Sequence, residues 1–344
     1  MNTAKTTLIS IIILFFVIPI YSQNTADTLY VATWNVENLF DTIDDVDKND
    51  KEFLPNESKK WTQDKIDQKI TNLAKVIRWM NNGNGPDLLG VQEVEHQHLI
   101  DTLLQRYFSD KKYKVAYQES LDERGIDVGL IYDSAKFEVL NIKPIEVELP
   151  SKYSTRYILE IKLKTITDDE IFVFVNHWPS RGGGEVKSQP NRIKAATVLR
   201  NEIDLLYNKN KSVNILLMGD FNDTPNNLSI ARYLWVNEYN CSSKIDTFRL
   251  YNLAYKEFLS GNGTYLYRGS WNMLDQIIVS NELVLDNNIK YLCDSFHLIK
   301  PDFLIQKEGK YKGSAKPTFG GKTYLGGFSD HIPVGAKFLL KKEY

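Results

Sequence analysis

Five short polar motifs and one further aspartate carry side chains that can bind a metal ion or move a proton. Carboxylate and amide oxygens are the ligands that hard cations such as Mg²⁺ take in proteins, commonly together with water and a substrate phosphate. Histidine changes charge near neutral pH, so it can position or protonate a reacting phosphate. The carboxylates are Glu93, Asp220, Asp275 and Asp330, the amides are Asn35 and Asn222, and the histidines are His177 and His331.

The elements that must position these side chains are strands. Four of the five motifs follow runs of apolar, mostly β-branched residues, which is the composition of buried strands. Because a sheet brings the ends of several strands to one rim, residues far apart in sequence can converge there. Asp275 opens another apolar run and is suited to orient a histidine from behind. In chain order the motifs are WNVEN (34–38), QEVE (92–95), NHWPS (176–180), GDFND (219–223) and SDH (329–331).

The remaining periodicity predicts a mixture of helices and strands. Apolar residues recur at steps of three and four from Thr62 to Asn81 and again from about Asn191 to Tyr207, which predicts two amphipathic helices. Consecutive strands joined by short turns favour antiparallel pairing between them. Helices that bracket runs of strands fit two sheets packed face to face with helices outside. The predicted strands are 126–132, 137–149, 157–164 and 171–175.

The first residues have the pattern of an export signal. Lys5 precedes an apolar stretch from Leu8 to Ile20 and a short polar region, which is a basic start, a hydrophobic core and a cleavage region. The apolar stretch is shorter than the roughly 20 residues that a membrane-spanning helix needs. We therefore expect residues 1–22 to be a cleaved signal and the mature protein to be exported without a membrane span. The periplasm, the cell surface and the medium remain alternatives.

Composition limits what the rest of the chain, residues 23–344, can be. Hydrophobic residues at 42% supply a sizeable core, and no linker or repeat divides the sequence, so we expect one domain and a monomer. The formal charge of −2 becomes −3 when Lys5 is removed, which excludes the strongly basic balance of a protein that coats nucleic acid. Cys241 and Cys293 are compatible with a disulfide or with two buried thiols.

Taken together, the motifs resemble those of the magnesium-dependent endonuclease/exonuclease/phosphatase superfamily. This superfamily includes deoxyribonuclease-like enzymes, abasic-site endonucleases, inositol polyphosphate phosphatases and neutral sphingomyelinases. The resemblance extends from Trp34 to about Pro333. It implies an α/β (α+β) fold of four layers, in which two mixed, mainly antiparallel sheets pack face to face with helices on both outer sides. Turn or cap formation would explain each motif alone, but not the ordered set.

The resemblance also implies roles for individual residues. Asn35 matches the asparagine of the family's first motif, Glu93 matches its metal-binding glutamate, and Asp330 matches a metal-associated aspartate. The implied cofactor is Mg²⁺, with Mn²⁺ or Ca²⁺ as alternatives. Arg124 lies where similar enzymes present a substrate-facing side chain. Arg181 begins a glycine-rich loop close to a motif histidine, and it could grip a phosphate through two hydrogen bonds.

The catalytic residues implied by the resemblance are two histidines and their partners. His177 resembles the histidine that contacts the scissile phosphate, and Asp220 and Asn222 resemble the pair that holds the attacking water and the phosphate. His331 matches the terminal catalytic histidine, and Asp275 is similar to the aspartate that supports it. The implied reaction is in-line attack of water on phosphorus. Whether Asp220 or a histidine takes the water's proton is left open.

The sequence thus predicts an exported, divalent-metal-dependent phosphodiesterase, with a nuclease acting on DNA or RNA as the leading hypothesis. The aromatic residues Tyr265, Tyr267 and Trp271, with Arg268 among them, would suit stacking on nucleobases, although they could equally pack a loop. A phosphatase or lipid phosphodiesterase of the inositol phosphate or sphingomyelin type is the alternative on the same site. A protein that binds a phosphate ligand without turnover is the alternative of another class.

Overall fold

The computed structural model of the protein describes residues 27–150, 153–242 and 244–341. The predicted export signal lies outside these residues. None of the helices in the described ranges combines the length and the apolar character that crossing a membrane would require.

The chain alternates strands with a few helices. The helices are α1 (Gln63–Trp79), α2 (Gln97–Tyr107), α3 (Glu185–Lys209) and α4 (Tyr255–Leu259). Short 3₁₀ turns cover Lys51–Phe53, Met80–Gly83 and Asn281–Leu283, and a π turn covers Ser229–Tyr233. The strands are β1 (Asp27–Leu39), β2 (Leu88–Val94), β3 (Tyr113–Tyr117), β4 (Asp127–Asp133), β5 (Phe137–Ile145), β6 (Ile158–Thr165), β7 (Glu170–His177), β8 (Asn214–Asp220), β9 (Val236–Glu238), β10 (Leu250–Asn252), β11 (Tyr265–Tyr267), β12 (Ser270–Asn272), β13 (Asp275–Ser280), β14 (Ile289–Tyr291), β15 (His297–Leu298), β16 (Phe319–Gly320), β17 (Thr323–Tyr324) and β18 (Val334–Leu340).

Two large mixed sheets organise these strands. The first has the order β14-β18-β1-β2-β4-β3, with β15 also paired to β18, and the second has the order β5-β6-β7-β8-β13-β10-β9. The pairs β1/β2, β7/β8 and β9/β10 are parallel, and the other neighbours in these two sheets are antiparallel. The prediction of two mixed, mainly antiparallel sheets is therefore confirmed.

The two sheets pack face to face because their strands are apolar on both sides. Side chains alternate across a strand, so Leu29 and Val31 of β1 join the core between the sheets, together with Ile161 of β6. Tyr30 and Ala32 lie on the opposite side of β1, in a second core that contains the apolar residues of α1 and α2. The first sheet is thus buried on both faces, which explains the continuous apolar run at its centre.

The fourth layer is α3, which covers the outer face of the second sheet. Leu199 and Ile203 of this helix share a core with Phe174 and Leu217. The predicted helix began after Pro190, but α3 starts at Glu185 and the proline lies inside it. The Arg192 guanidinium donates to the backbone oxygen of Glu185 at 3.0 Å and so helps to hold the extra turn. Helix, sheet, sheet and helix form the four-layer sandwich that the resemblance implied.

The end of β5 differs from the prediction, and the state of the two cysteines, which the sequence left open, is defined by the structure. The strand predicted to reach Leu149 ends at Ile145, where its pairing with β6 ends. Cys241 and Cys293 form a disulfide with Cα atoms 5.8 Å apart, which joins the segment after β9 to the segment after β14. This pairing resolves the choice between a disulfide and two free thiols.

Candidate active site at one rim of the sandwich

The predicted site residues meet at one rim because of how the strands are paired. Asn35 and Glu93 lie near the carboxyl ends of the parallel strands β1 and β2, which end on the same side. His177 and Asp220 are register partners at the ends of the parallel strands β7 and β8. Asp275 begins the antiparallel strand β13 directly opposite Asp220. Asn35 and Asp220, 185 positions apart in the sequence, are therefore close enough for the Asn35 amide to donate to the Asp220 carboxylate.

Backbone geometry contributes to the rim as well. Gly219 has a φ of +132°, and a Cβ atom there would collide with the backbone oxygen of Asn176 on the neighbouring strand. Glu93 has a φ of +64° and lies where the pairing of β2 with β4 shifts its register. A bulge of this kind turns a side chain away from the regular alternation, and non-glycine residues rarely adopt a positive φ. The local strain thus aims the Glu93 carboxylate into the rim.

An amide links the two central carboxylates. The Asn35 Nδ2 atom donates to Asp220 Oδ2 at 3.1 Å and to Glu93 Oε1 at 3.3 Å. Glu93 Oε2 accepts a hydrogen bond from the backbone nitrogen of Asn38 at 3.0 Å. Burial acts to raise the pKa of Glu93, but Arg124, His331 and the Asn35 amide together lower it below its usual range. Glu93 is therefore an anion at neutral pH.

His177 faces both carboxylates without bonding to them. Its Nε2 atom lies 3.7 Å from Asp220 Oδ2 and 3.9 Å from Glu93 Oε1, beyond hydrogen-bond range. Its Nδ1 atom is buried and has no hydrogen-bond partner among the described residues. Burial lowers the pKa of His177 well below its usual value, and the charges of Arg156 and Arg124 lower it further. This histidine is therefore a neutral imidazole whose Nε2 atom is left for another ligand.

The pKa of His331 is shifted in the opposite direction to that of His177. Its Nδ1 group donates to Asp275 Oδ2 at 2.7 Å, and its Nε2 atom lies 3.9 Å from Asp220 Oδ2. Burial acts to lower the pKa of His331, but the charge and hydrogen bond of Asp275, together with Asp220, raise it well above its usual value. One histidine is neutral and the other is an imidazolium. Environments that separate two titratable groups in this way are typical of acid–base sites.

Asp220 lies between the two histidines, and Asn222 supports it. Burial raises the pKa of Asp220 to about 6, with His331 acting in the opposite direction. The backbone nitrogen of Asn222 donates to Asp220 Oδ1 at 2.8 Å, and the Asn222 side chain donates to the backbone oxygen of Trp178 at 2.9 Å. Asp220 is thus a carboxylate with a pKa close to neutrality, which suits a group that accepts a proton.

The charges of two buried residues, Glu37 and Lys69, act on Asp330. Neither of them was assigned a role from the sequence. Burial and, to a lesser extent, the charge of Glu37 raise the pKa of Asp330 to about 7. Burial lowers the pKa of Lys69 to about 8, against the charges of Glu37 and Asp330. The Lys69 ammonium is fully buried and donates to Thr318 Oγ1 at 2.5 Å and to the backbone oxygen of Phe328 at 2.6 Å.

The two predicted substrate-binding arginines have different surroundings. Arg124 is exposed, its guanidinium donates to Asn38 Oδ1 at 2.5 Å, and its charge reaches Glu93 and His177. The Arg181 guanidinium is instead engaged by protein oxygens, including the backbone oxygen of Asn222 at 2.8 Å. Arg181 therefore supports the loop that carries Asn222. A role in substrate binding stays a prediction for both arginines.

Arg156 is a buried cation near the rim that the motifs did not include. It donates to Asp122 Oδ2 at 3.1 Å and to the backbone oxygen of Trp178 at 2.8 Å. Its charge contributes to the pKa shifts of both His177 and Glu93. In sequence, Arg156 precedes a predicted strand without any neighbouring motif, so only its burial against the residue after His177 identifies it.

The side chains at the rim fit a divalent cation. Glu93 and Asp330 are both carboxylates, and the charge of Glu93 contributes to the raised pKa of Asp330. The Glu93 side chain keeps 15% of its surface exposed, so a ligand could reach it. One or two carboxylates and an amide, completed by water and phosphate oxygens, match the ligand preference of Mg²⁺. A cation would also offset the repulsion among these acidic groups.

The fold and the rim site define a class of four-layer sandwich proteins whose reactive side chains lie at strand ends. Within this class, the chain belongs to the endonuclease/exonuclease/phosphatase family, whose sequence pattern matches residues 30–341. Members of this family are phosphoester hydrolases, and they generally depend on a divalent metal ion such as Mg²⁺ or Mn²⁺. No curated protein matches the chain.

Several solved structures share the fold. The mannosyl-6-phosphatase of Bacteroides thetaiotaomicron is 16% identical, and the match covers 90% of this chain and 99% of that one with a TM-score of 0.54. Truncated TDP2 of Caenorhabditis elegans is 16% identical, with 91% and 97% covered and a TM-score of 0.53. The human Nocturnin catalytic domain, solved with a bound sulfate anion, is 15% identical, with 91% and 97% covered and a TM-score of 0.51. These identities show a common fold alone.

Proposed function

We propose that the protein is an exported, divalent-metal-dependent phosphodiesterase that hydrolyses DNA or RNA by in-line attack of water. The observation that carries the proposal is the convergence of two histidines on one carboxylate: His177 Nε2 lies 3.7 Å and His331 Nε2 lies 3.9 Å from Asp220 Oδ2. A reaction at phosphorus needs one group to accept the water's proton and others to stabilise charge on the phosphoryl oxygens. The rim supplies each of these groups within one cluster.

The metal would be held by Glu93, with Asn35 and Asp330 nearby. When bound, a divalent ion stabilises the negative charge that develops on the phosphoryl oxygens. The Asn35 amide already orients both Glu93 and Asp220 by donating to each of them. This arrangement keeps the metal-binding carboxylate and the proton-accepting carboxylate at a fixed separation.

The protein's own side chains then divide the acid–base work. Asp220, with a pKa of about 6, is ionised at neutral pH and accepts the proton of the attacking water. The new bond from the water oxygen to phosphorus replaces the bond from phosphorus to the leaving oxygen, which takes a proton from solvent. His331, held by Asp275, is an imidazolium whose Nε2–H donates to a phosphoryl oxygen. His177 is neutral, and its Nε2 atom is free to donate to a second phosphoryl oxygen without adding charge.

Nucleic acid is the substrate favoured by the aromatic surface beside the site. The Tyr265 ring stacks on the His331 ring with centroids 4.8 Å apart, and the Tyr267 ring lies 6.4 Å beyond Tyr265 at an interplanar angle of 14°. The Arg268 guanidinium lies 5.1 Å from the Tyr267 centroid. Tyr267 is 52% exposed. Aromatic rings with a nearby cation suit stacking of unpaired bases, so a single-stranded substrate fits this surface.

A substrate panel tests the proposal. Purified mature protein is incubated with single-stranded and double-stranded DNA, RNA, sugar phosphates, phosphoinositides and sphingomyelin, with Mg²⁺ or with a chelator. We expect metal-dependent cleavage of nucleic acid that disappears in His331→Ala and persists in His297→Ala, whose ring lies outside the rim and contacts Tyr30. Binding without product on every substrate would contradict the proposal and would favour a ligand-binding protein instead.

A phosphatase acting on a sugar phosphate is the second candidate. It is favoured by the likeness to the mannosyl-6-phosphatase, whose fold matches as well as that of any solved structure named above. Release of inorganic phosphate from sugar phosphates, with no cleavage of nucleic acid, would select this alternative. Export is tested separately, by expressing the full chain in its host, fractionating the cells and sequencing the mature amino terminus. Retention of an uncleaved chain in the cytosol would contradict export.

A further inference from the structure

A second cluster of ionisable side chains lies beside the rim site and takes no part in it. We call it the His96 cluster, and it consists of Asp41, Asp45, Glu95, His96 and His98. One ligand atom each from Asp41, Glu95 and His96 lies within 4.8 Å of the other two. Asp41 follows β1, and Glu95 and His96 connect β2 to α2. The cluster is therefore built on the same two parallel strands as Asn35 and Glu93, a few residues further along each.

The two histidines of the cluster each lie close to an aspartate that belongs to or borders the group formed by Asp41, Glu95 and His96. His96 Nε2 lies 3.3 Å from Asp45 Oδ2, and His98 Nε2 lies 3.4 Å from Asp41 Oδ2. The two imidazole rings are stacked with centroids 5.5 Å apart. These side chains line an open pocket together with Glu119, so an ion could enter from solvent.

Glu95 contributes a buried carboxylate to the cluster. This residue is only 2% exposed, and its Oε2 atom accepts a hydrogen bond from the backbone nitrogen of Asp41 at 2.7 Å. One of its carboxylate oxygens lies within 4.8 Å of ligand atoms of both Asp41 and His96. A buried carboxylate is costly unless it is paired, and a cation in the cluster would pair it.

The orientation of His96 distinguishes a metal site from a set of ordinary ion pairs. Its Nδ1 atom lies 2.8 Å from Glu119 Oε1, which leaves Nε2 turned toward the cluster. Histidines that bind metals almost always use their other ring nitrogen to donate to a carboxylate or carbonyl in this way. The second histidine, His98, stacks on His96 and lies 3.4 Å from Asp41, so it adds a second imidazole beside the carboxylates of the cluster.

We propose that the His96 cluster binds a divalent transition-metal ion, with imidazole nitrogens and carboxylate oxygens as its ligands. Mixed nitrogen and oxygen ligands suit Zn²⁺ better than Mg²⁺ or Ca²⁺, which prefer oxygen alone. The ion would join the segment after β1, the connection from β2 to α2, and the loop that contains Glu119. The same loop carries Arg124, which reaches Asn38 at the rim. The ion would therefore fix the loop that presents this arginine.

Binding of Co²⁺ tests the proposal directly, because Co²⁺ takes Zn²⁺ sites and its visible absorption reports nitrogen and oxygen ligation. The mature protein is titrated with Co²⁺ in excess Mg²⁺, and the bound Co²⁺ is then displaced with Zn²⁺. We expect one equivalent to bind. Glu119→Gln should weaken binding about 10- to 100-fold as the loss of an outer partner, and His96→Gln and His98→Gln should weaken it more.

Two controls separate this site from the rest of the protein. His297→Gln removes a histidine that contacts Tyr30 and Ser295 instead, so it should leave Co²⁺ binding unchanged. Glu93→Gln removes the metal-binding carboxylate of the rim and should also leave this signal in place, which keeps the test independent of phosphoester hydrolysis. Because His98 is 58% exposed at its side chain, His98→Gln should fold normally. The proposal would be overturned if the wild-type protein did not bind Co²⁺, or if His96→Gln and His98→Gln bound Co²⁺ as tightly as the wild-type protein does.

Discussion

Replacing Asp275 with asparagine should lower the pKa of His331 and shift one limb of the pH–rate profile. The perturbation removes one charge and keeps the shape of the side chain. The lost interaction is a charge-assisted hydrogen bond of 2.7 Å between buried groups. Such bonds are worth about 1.5 to 3 kcal/mol, and a shift of one pKa unit corresponds to about 1.4 kcal/mol. The pKa of His331 should therefore fall by about one to two units.

The direction of the shift follows from the charge of His331. Asp275 stabilises the imidazolium, so in wild-type protein His331 stays protonated to a higher pH than an ordinary histidine. If the imidazolium acts as the donor to phosphate, activity is lost as pH rises through this pKa. The basic limb of log kcat/KM against pH should then move to lower pH by about one to two units in Asp275→Asn. If His331 instead accepted the water's proton, the acidic limb would move.

The assay is hydrolysis of the best substrate from the panel, measured from pH 5 to pH 10 at saturating Mg²⁺. Asp302→Asn serves as a matched control. The Asp302 side chain is 93% exposed, and it pairs with Lys307 and not with any of the predicted site residues. An equal loss of activity at every pH, with both limbs in their wild-type positions, would refute the reasoning and would leave Asp275 with a structural role alone.

Three further outcomes are expected. Glu93→Gln should reduce kcat/KM at a fixed Mg²⁺ concentration by about 100-fold or more, because it removes the charge of the carboxylate that we propose as a metal ligand. A Mg²⁺ dependence equal to that of wild type would contradict this prediction. Lys69→Met should lower the free energy of unfolding by about 3 kcal/mol, because it removes both hydrogen bonds donated by the buried ammonium. Urea unfolding measures this change, and an unchanged free energy of unfolding would show that these two hydrogen bonds do not stabilise the fold. Burial raises the pKa of Asp127 to about 6 from an ordinary 3.8, so the folded state binds the proton more tightly and stability should fall as pH rises from about 4 to about 6. Asp127→Asn should reduce this fall by on the order of 3 kcal/mol, and identical slopes for the two proteins in pH-dependent urea unfolding would argue against it.

Local patterns allowed two packed sheets with helices outside and most of the rim residues to be predicted, whereas the four-layer sandwich was implied by the family resemblance. Apolar runs followed by a polar motif mark strands that end at a reactive side chain, and Asn35, Glu93 and Asp220 were found in this way. The helix predicted at residues 62–81 is observed as α1 from Gln63 to Trp79, because its apolar spacing matches a buried face.

The residues that were missed owe their position to distant parts of the chain. Lys69 lies on a helix where a lysine is normally exposed, and it is buried only because the segment around Thr318 and Phe328 covers it. Arg156 becomes important only when β7 brings the residue after His177 against it. The bulge that turns Glu93 into the rim depends on how β2 pairs with β4, and no local pattern specifies such a register shift.

The close approach of β7 and β8 at Gly219 has a consequence for engineering this enzyme. No side chain fits between the two strands at that point, so the spacing between the backbone segments that carry His177 and Asp220 is set by main-chain contact. Libraries that aim to change substrate preference should leave this glycine untouched and vary the paired strands β11 and β12, which carry Tyr265, Tyr267 and Trp271. The backbone positions of His177 and Asp220 would then be retained while the neighbouring aromatic surface is changed.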